Sequence, residues 1–244
     1  MLVNNLCHPE RRHARTSCAP AQSKDEHNGK EVMKVGIIGS GDVGTSLARG
    51  FASRGHEVTI GSRDPAKLRD FAKENANVRA GTFEEVARFG ELLVVATAFD
   101  GTKSALDISG PANFAGKVVI DTTNPLKFEE GRLPGLSIGF DDSAGESIQR
   151  WLPGAKVVKA FNIIGHNSMV DPAFEEGAPT MFICGDDAAA KTTVTEVLQS
   201  FGWRSIIDAG TIEQSRLLEP LCILWVHYAV RAGSRNHAFK LLTR

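Results

Sequence analysis

Charge of one sign, cysteine, tyrosine and long apolar runs are all scarce in this sequence. The 29 acidic and 28 basic residues nearly cancel, leaving a formal net charge of -1. Nucleic acid and anionic membrane surfaces select a basic patch or stripe, so neither is an expected partner. The four cysteines among 244 residues are Cys7, Cys18, Cys184 and Cys222. No two have the close spacing of a metal knuckle or a redox pair, so no metal site is expected. Cys184 and Cys222 read as small buried hydrophobes in a reducing compartment, and the cytoplasm is the location that follows. The most apolar stretch, Ile212 to Val230, is broken by Glu219, Pro220 and His227 and is not expected to insert into a bilayer. The single tyrosine, Tyr228, belongs to no Tyr-x-x-x-Lys acid/base pair.

What is present is an ordinary globular composition, 42% hydrophobic and 23% charged, in a chain long enough for one large domain or a domain with a small appendage. Residues 1–32 have mixed charge and no apolar run of the kind a secretory signal requires. They are expected to be disordered, with His8, His13 and His27 solvated. From Lys34 onward, strand and helix patterns alternate. Strands are expected at 34–38, 56–60, 91–97, 117–121, 155–161, 180–185 and 204–208. One helix carries Val43, Leu47 and Phe51 on a stripe and closes at Gly55, and another carries Val194, Val197, Leu198 and Phe201. Thr82 with Glu85, and Ser143 with Glu146, have capping-box spacing. Units of this kind specify an α/β fold with a doubly wound, mostly parallel sheet. The helix expected at 212–230, interrupted by Pro220, makes a small C-terminal helical extension.

The first strand runs into Gly39-Ser40-Gly41-Asp42-Val43-Gly44, a G-x-G-x-x-G turn that opens a helix and is followed by a second strand. That context makes it a dinucleotide-binding signal and the domain a Rossmann-type one. Gly39 permits the tight turn, Gly41 lets the backbone approach a pyrophosphate, and Gly44 lets helix and strand pack. The helix N-terminus adds free N–H groups and partial positive charge. About 20 residues further on, where a carboxylate ordinarily accepts hydrogen bonds from a ribose 2'-hydroxyl, the sequence has Ser62 and Arg63. A hydroxyl and a guanidinium suit a 2'-phosphate instead, so the expected cofactor is NADP(H). Lys67 adds positive charge, while Asp64, before Pro65, is placed to cap the next helix.

Ligands of doubly wound sheets bind at the carboxyl ends of the strands. That rule selects Thr97, Ala98 and Phe99, then Thr122 to Pro125 with Thr123 and Asn124, then Ala160 to Asn162. The two catalytic candidates are Asn162, to orient the nicotinamide or an acceptor ring, and His166, as an acid/base or as a hydrogen-bonded structural histidine. A site so poor in acid/base groups suits hydride transfer between two stacked planar rings, where positioning is most of the protein's contribution. The alternatives are a non-catalytic NADP(H)-binding sensor or reductase partner module, and a small-substrate dehydrogenase using His166.

In order along the chain, "MKVGIIGSGDVG", "GSRDP", "DTTNP", "VVKAFN" and "FICGDD" resemble the NADP oxidoreductases that depend on coenzyme F420, a deazaflavin. The resemblance runs from Met33 to Arg244. It implies a Rossmann-type NADP-binding domain over 33–165 and a C-terminal subdomain over 166–244 on the acceptor and dimer side. It also implies reversible hydride exchange between NADPH and the deazaflavin, and a homodimer. The 2'-phosphate contacts of the family carry over to Ser62 and Arg63, and its pyrophosphate loop to Gly39–Gly44. "KAFN" and "DTTNP" equally resemble the cytosolic NADPH-binding domain of six-transmembrane ferric reductases, which makes FMN or FAD an alternative acceptor.

Overall fold

The first strand of the sheet, β1 (Lys34–Ile38), alternates its apolar residues between two cores, with Val35 and Ile37 facing one and Ile38 the other. The same division holds in β4 (Leu92–Val95), where Leu92 and Val94 point one way and Leu93 and Val95 the other. A strand covered by helices on both faces must be apolar on both, which is why these segments read as unbroken hydrophobic runs.

The computed structural model describes residues 31–244. Cys7, Cys18, His8, His13 and His27, with the segment expected to be disordered up to residue 30, lie outside the described residues. After β1 come α1 (Asp42–Ala52), β2 (Glu57–Gly61), α2 (Arg69–Glu74), β3 (Val78–Gly81), α3 (Phe83–Phe89) and then β4. The chain continues through α4 (Phe99–Ser109), β5 (Val118–Asp121), a short antiparallel pair β6 (Leu126–Lys127) and β7 (Gly135–Leu136), α5 (Ala144–Trp151) and β8 (Lys156–Lys159). It ends with β9 (Thr180–Gly185), α6 (Ala188–Ser200), β10 (Ser205–Asp208) and α7 (Ser215–Ala232).

The eight-stranded sheet has the order β10-β9-β8-β5-β4-β1-β2-β3. The chain winds outward from β1 to β3, returns to β4, and winds the other way, so a crevice opens between β1 and β4 at the carboxyl edge. One face carries α1 and α6, with Leu47, Phe51, Val194, Leu198 and Phe201 in its core. The other carries α3, α4 and α5, with Val86, Leu106 and Ile148. The sheet is parallel throughout except where β9 pairs with β8 antiparallel. No crossover helix separates these two strands, only a single 3-10 turn at His166–Ser168. The connection therefore begins and ends at the same edge of the sheet, and its first part, from Phe161 to Met169, lies along the crevice.

Local chemistry behaves as the spacing predicts in most places. Thr82 and Glu85 form a reciprocal capping box on α3, and Asp64 accepts from Ala66 N at the turn into Pro65–Leu68. Ser143 caps α5 by accepting from Glu146 N, but the box is not reciprocal: Ser143 N donates to Asp142, and the Glu146 carboxylate pairs with Arg216. Pro220 does not interrupt the last helix as expected, because α7 runs through it from Ser215 to Ala232. Among the described residues no helix is long and apolar enough to cross a membrane. Cys184 and Cys222 are both free and buried.

Candidate functional site

Each glycine of the loop after β1 has a distinct physical reason. Gly39 has φ +123, and a Cβ there would run into the carbonyl of Ala96. A Cβ on Gly44 would meet the carbonyl of Gly39, so α1 could not begin so close to β1. Gly41 is the opposite case, with no atom within 4 Å of an added Cβ. Its backbone faces open space at the N-cap of α1, where no side chain among the described residues caps the first-turn N–H groups. Asp42 and Val43 form that first turn, and Ser40 lies half-buried before it.

At the end of β2, Ser62 Oγ accepts from Asp64 N at 3.2 Å, and Asp64 turns its carboxylate to Ala66 N at 3.2 Å. The acidic residue of this turn is thus used locally. Arg63 is exposed, and Lys67, whose side chain is 80% exposed, lies 4.0 Å from Asp64.

A cavity of about 700 Å³ occupies the carboxyl edge, running from Gly41 to the inner face of α7. Of the residues selected from sequence, Gly41, Asp42, Val43, Thr97, Ala98, Thr123, Asn124, Asn162 and His166 all line it. Its far wall is apolar, with Ile164, Met169, Cys222, Trp225 and Val226. Of the strand-end residues, Phe99, Pro125 and Ala160 do not line it, nor do Ser62, Arg63 and Lys67 at the end of β2. Phe99 stacks on Trp151 at 5.8 Å between centroids, and the Ala160 side chain is fully buried. Nor is the Phe161 ring free to stack on a ligand, since it is fully buried and tilted against Phe201.

His166 is tied to α1, with Nδ1 3.3 Å from Ser46 Oγ and Nε2 3.8 Å from Asp42 Oδ2. Asn162 is 3% exposed. Its Nδ2 donates to Asn124 Oδ1 and to the Leu218 carbonyl, both at 3.0 Å, while Asn124 Nδ2 donates back to the Asn162 carbonyl at 2.9 Å. Asn162 Oδ1 and Thr123 Oγ1 are buried without a hydrogen-bond partner among the described residues. Buried polar atoms ordinarily have one, so these two, on cavity-lining residues, fit the polar edge of a bound ring.

Residues 34–125 match the family of NADP oxidoreductases that are coenzyme F420-dependent. A solved structure from Arthrobacter sp. FB24, provisionally assigned as an F420-dependent NADP reductase, superposes with a TM-score of 0.83 at 40% identity, covering 86% of this chain and 100% of that one. The chain belongs to the coenzyme F420-dependent NADP oxidoreductase family. It is also 27% identical to the F420-dependent NADP reductase of Methanothermobacter marburgensis, over 86% of this chain and 98% of that protein. Similarity extends to metalloreductase STEAP3 of Rattus norvegicus, at 32% identity over 79% of this chain. The matched region spans 37% of that protein's length.

This member of the F420-dependent family also holds a charged cluster that motif reading overlooked. Lys159 is fully buried at the end of β8, 2.7 Å from Asp121 on β5 and 3.0 Å from Glu219 on α7. Burial works against its ammonium, but the two carboxylates outweigh that and hold its pKa above the ordinary lysine value. Burial pushes Glu219 up, offset in part by Lys159. Burial also drives the Cys222 thiol up to about 12, so it stands in the cavity wall as a neutral, unreactive group. The available signal was a lysine in the otherwise apolar "VVKAF" and a glutamate in an apolar helix.

Proposed function

We propose that this protein transfers hydride between NADP(H) and a planar acceptor, coenzyme F420 or a flavin such as FMN or FAD. The single observation that carries this is the cavity, which joins the glycine loop of the Rossmann crevice to the apolar face of α7. When both are bound, NADPH supplies the hydride and the acceptor ring takes it up. The first turn of α1 with Gly41 would hold the pyrophosphate, and Ser62, Arg63 and Lys67 the 2'-phosphate. Thr123 and Asn162 would orient the polar edge of a ring, and Ile164, Met169, Trp225 and Val226 would exclude water from the space between the rings. A cytoplasmic location belongs to the same proposal. So does a homodimer, supported by Leu217, Leu224 and Tyr228, which are exposed along α7.

A panel of F420, FMN and FAD titrated against NADPH and NADH tests the proposal. NADPH-dependent loss of absorbance is expected for at least one acceptor, and no change in any would overturn the enzymatic reading. In the same assay His166→Ala is expected to keep turnover within about tenfold, because its ring is engaged with α1. A loss of roughly 100-fold or more would instead identify a general acid and favour the small-substrate dehydrogenase.

Gly41→Ala separates binding from folding. Its backbone, at φ -77 and ψ -173, accepts any residue, and no atom stands in the way of a methyl group. The melting temperature should therefore fall only slightly, by the modest N-cap preference for glycine over alanine, while crowding of the pyrophosphate costs about 1–3 kcal/mol. That is roughly a 5- to 150-fold rise in the NADPH dissociation constant, readable by fluorescence titration.

The similarity to STEAP3, confined to 37% of that protein's length, favours one alternative, a module that binds NADPH and reduces nothing until a partner is supplied. Saturable NADPH binding with a silent acceptor panel would mark it.

A further inference from the structure

Distant parts of the chain converge on one buried ammonium. Lys159 Nζ pairs with Asp121 Oδ2 at 2.7 Å and Glu219 Oε1 at 3.0 Å, and donates a hydrogen bond to the carbonyl of Thr123 at 2.8 Å. The carboxylates extend the network outward. Asp121 Oδ1 accepts from Thr123 N at 2.8 Å, and Glu219 accepts from Ala144 N and Gly145 N, at 3.0 and 3.1 Å, in the first turn of α5. A second tie joins the same pieces, since Asn162 bonds both to Asn124 and to the carbonyl of Leu218, the residue before Glu219.

The pieces joined in this way are the two walls of the cavity. Thr122, Thr123 and Asn124 line its nucleotide side, and Cys222, Trp225 and Val226 its α7 side. Glu219 and Cys222 are three residues apart, hence neighbours along one helix face. None of Asp121, Lys159 and Glu219 lines the cavity itself. We infer that the Asp121–Lys159–Glu219 cluster is a positioning unit that sets the separation of the nucleotide wall from the acceptor wall without touching either ligand.

A buried ion cluster is weak evidence for stability, because desolvation offsets much of the Coulombic gain. What it supplies that apolar contact does not is direction. The hydrogen bonds from Lys159 Nζ to the Thr123 carbonyl, from Thr123 N to Asp121, and from Ala144 N and Gly145 N to Glu219 fix the Thr123 peptide and the Glu219 side chain at definite angles, whereas apolar surfaces slide. Misplacement of reacting groups by about 1 Å costs on the order of 100-fold in rate, so a rigid tie between the walls bears directly on turnover. The assignment of the acceptor to the α7 side rests on the proposed function.

Asp121→Asn and Glu219→Gln test the inference in the full chain, well below the melting temperature of each variant. D121N sets an amide group, with N–H donors of its own, against the ammonium. E219Q leaves one side-chain acceptor for the three donors that Glu219 now serves. D121N is expected to raise the NADPH dissociation constant about tenfold, the loss of roughly one good hydrogen bond. E219Q is expected to raise the KM for F420 or FMN about tenfold, leaving NADPH affinity within about twofold. Glu219→Asp, which keeps the charge with a shorter reach, should fall between wild type and E219Q, and serves if E219Q does not fold. Variants that lose melting temperature but keep both ligand constants would show a purely structural cluster and overturn the inference. If the wild-type protein reduces neither acceptor, the proposed function fails by itself. The cluster is then read from NADPH affinity in D121N and from backbone amide exchange, which should quicken at 122–124 in D121N and at 218–226 in E219Q. Unchanged affinity and exchange would overturn it.

Discussion

Lys159→Ala is expected to cost about 3–5 kcal/mol of stability, the range for removing one partner of a buried ion cluster. For a chain of this size that is a fall in melting temperature of roughly 6–20 °C. The cause is less the lost attraction than what remains. Asp121 and Glu219, 0% and 1% exposed, would face one another with no cation between them, and the Thr123 carbonyl would lose its donor. The truncated stem adds a cavity term of the ordinary kind. Urea denaturation should show a lower midpoint at unchanged slope. A loss below about 1 kcal/mol would mean that water reaches the site and that the cluster is not the tightly packed node it forms here. Part of the cost should return on removing the excess charge, so Lys159→Ala combined with Glu219→Gln should be less unstable than the sum of the two singles.

Arg63→Ala is expected to raise the NADPH dissociation constant roughly 10- to 150-fold while leaving NADH within about twofold. The estimate is the value of about 1.5–3 kcal/mol for a hydrogen bond to a charged group, converted to affinity. The geometry of the β2 end supports Arg63 as the largest contributor among Ser62, Arg63 and Lys67, because only the guanidinium offers a planar pair of donors to a phosphate. Asp64, the one carboxylate in the turn, faces Ala66 N, and Ser62 Oγ accepts from Asp64 N with its own proton left to donate, so the exposed guanidinium, which can donate two parallel hydrogen bonds, has no carboxylate of the turn set against it. Because Arg63 is exposed, its advantage should shrink as salt rises, so the two cofactors should be titrated at two ionic strengths. Equal losses for NADPH and NADH would show that Arg63 does not read the 2'-phosphate.

The glycine loop shows how far local sequence reaches into this site. Gly39, Gly41 and Gly44 follow an apolar strand and open a helix, and the structure gives each the steric reason that its place in the motif implies. Thr97, Thr123, Asn124 and Asn162 were reachable by the rule that ligands gather at strand carboxyl ends, and they do line one cavity. The rule selects positions but not directions. Phe99 turns to Trp151, Phe161 turns into the core beside Phe201, and Ala160 is buried. His166, a candidate by its place after β8, is held against α1 by Ser46 and Asp42. Which way each side chain faces follows from packing partners far away in the chain, and no spacing within "KAFNIIGH" encodes it.

By itself the sequence determined seven of the eight strands of the large sheet, all but β3, with the caps at Thr82 and Asp64, the glycine loop and the basic end of β2. All of these depend on residues within a turn or two of one another, where periodicity and hydrogen-bonding chemistry act locally. Tertiary structure alone decided that β9 enters antiparallel to β8, that α7 passes through Pro220 and closes the cavity, and that Lys159 meets Asp121 and Glu219. Those outcomes join residues as far apart in the chain as Asp121 on β5 and Glu219 on α7. A buried charge there is tolerable only once both partners have arrived, because desolvation is offset by contacts that exist in the folded chain and nowhere in the linear order.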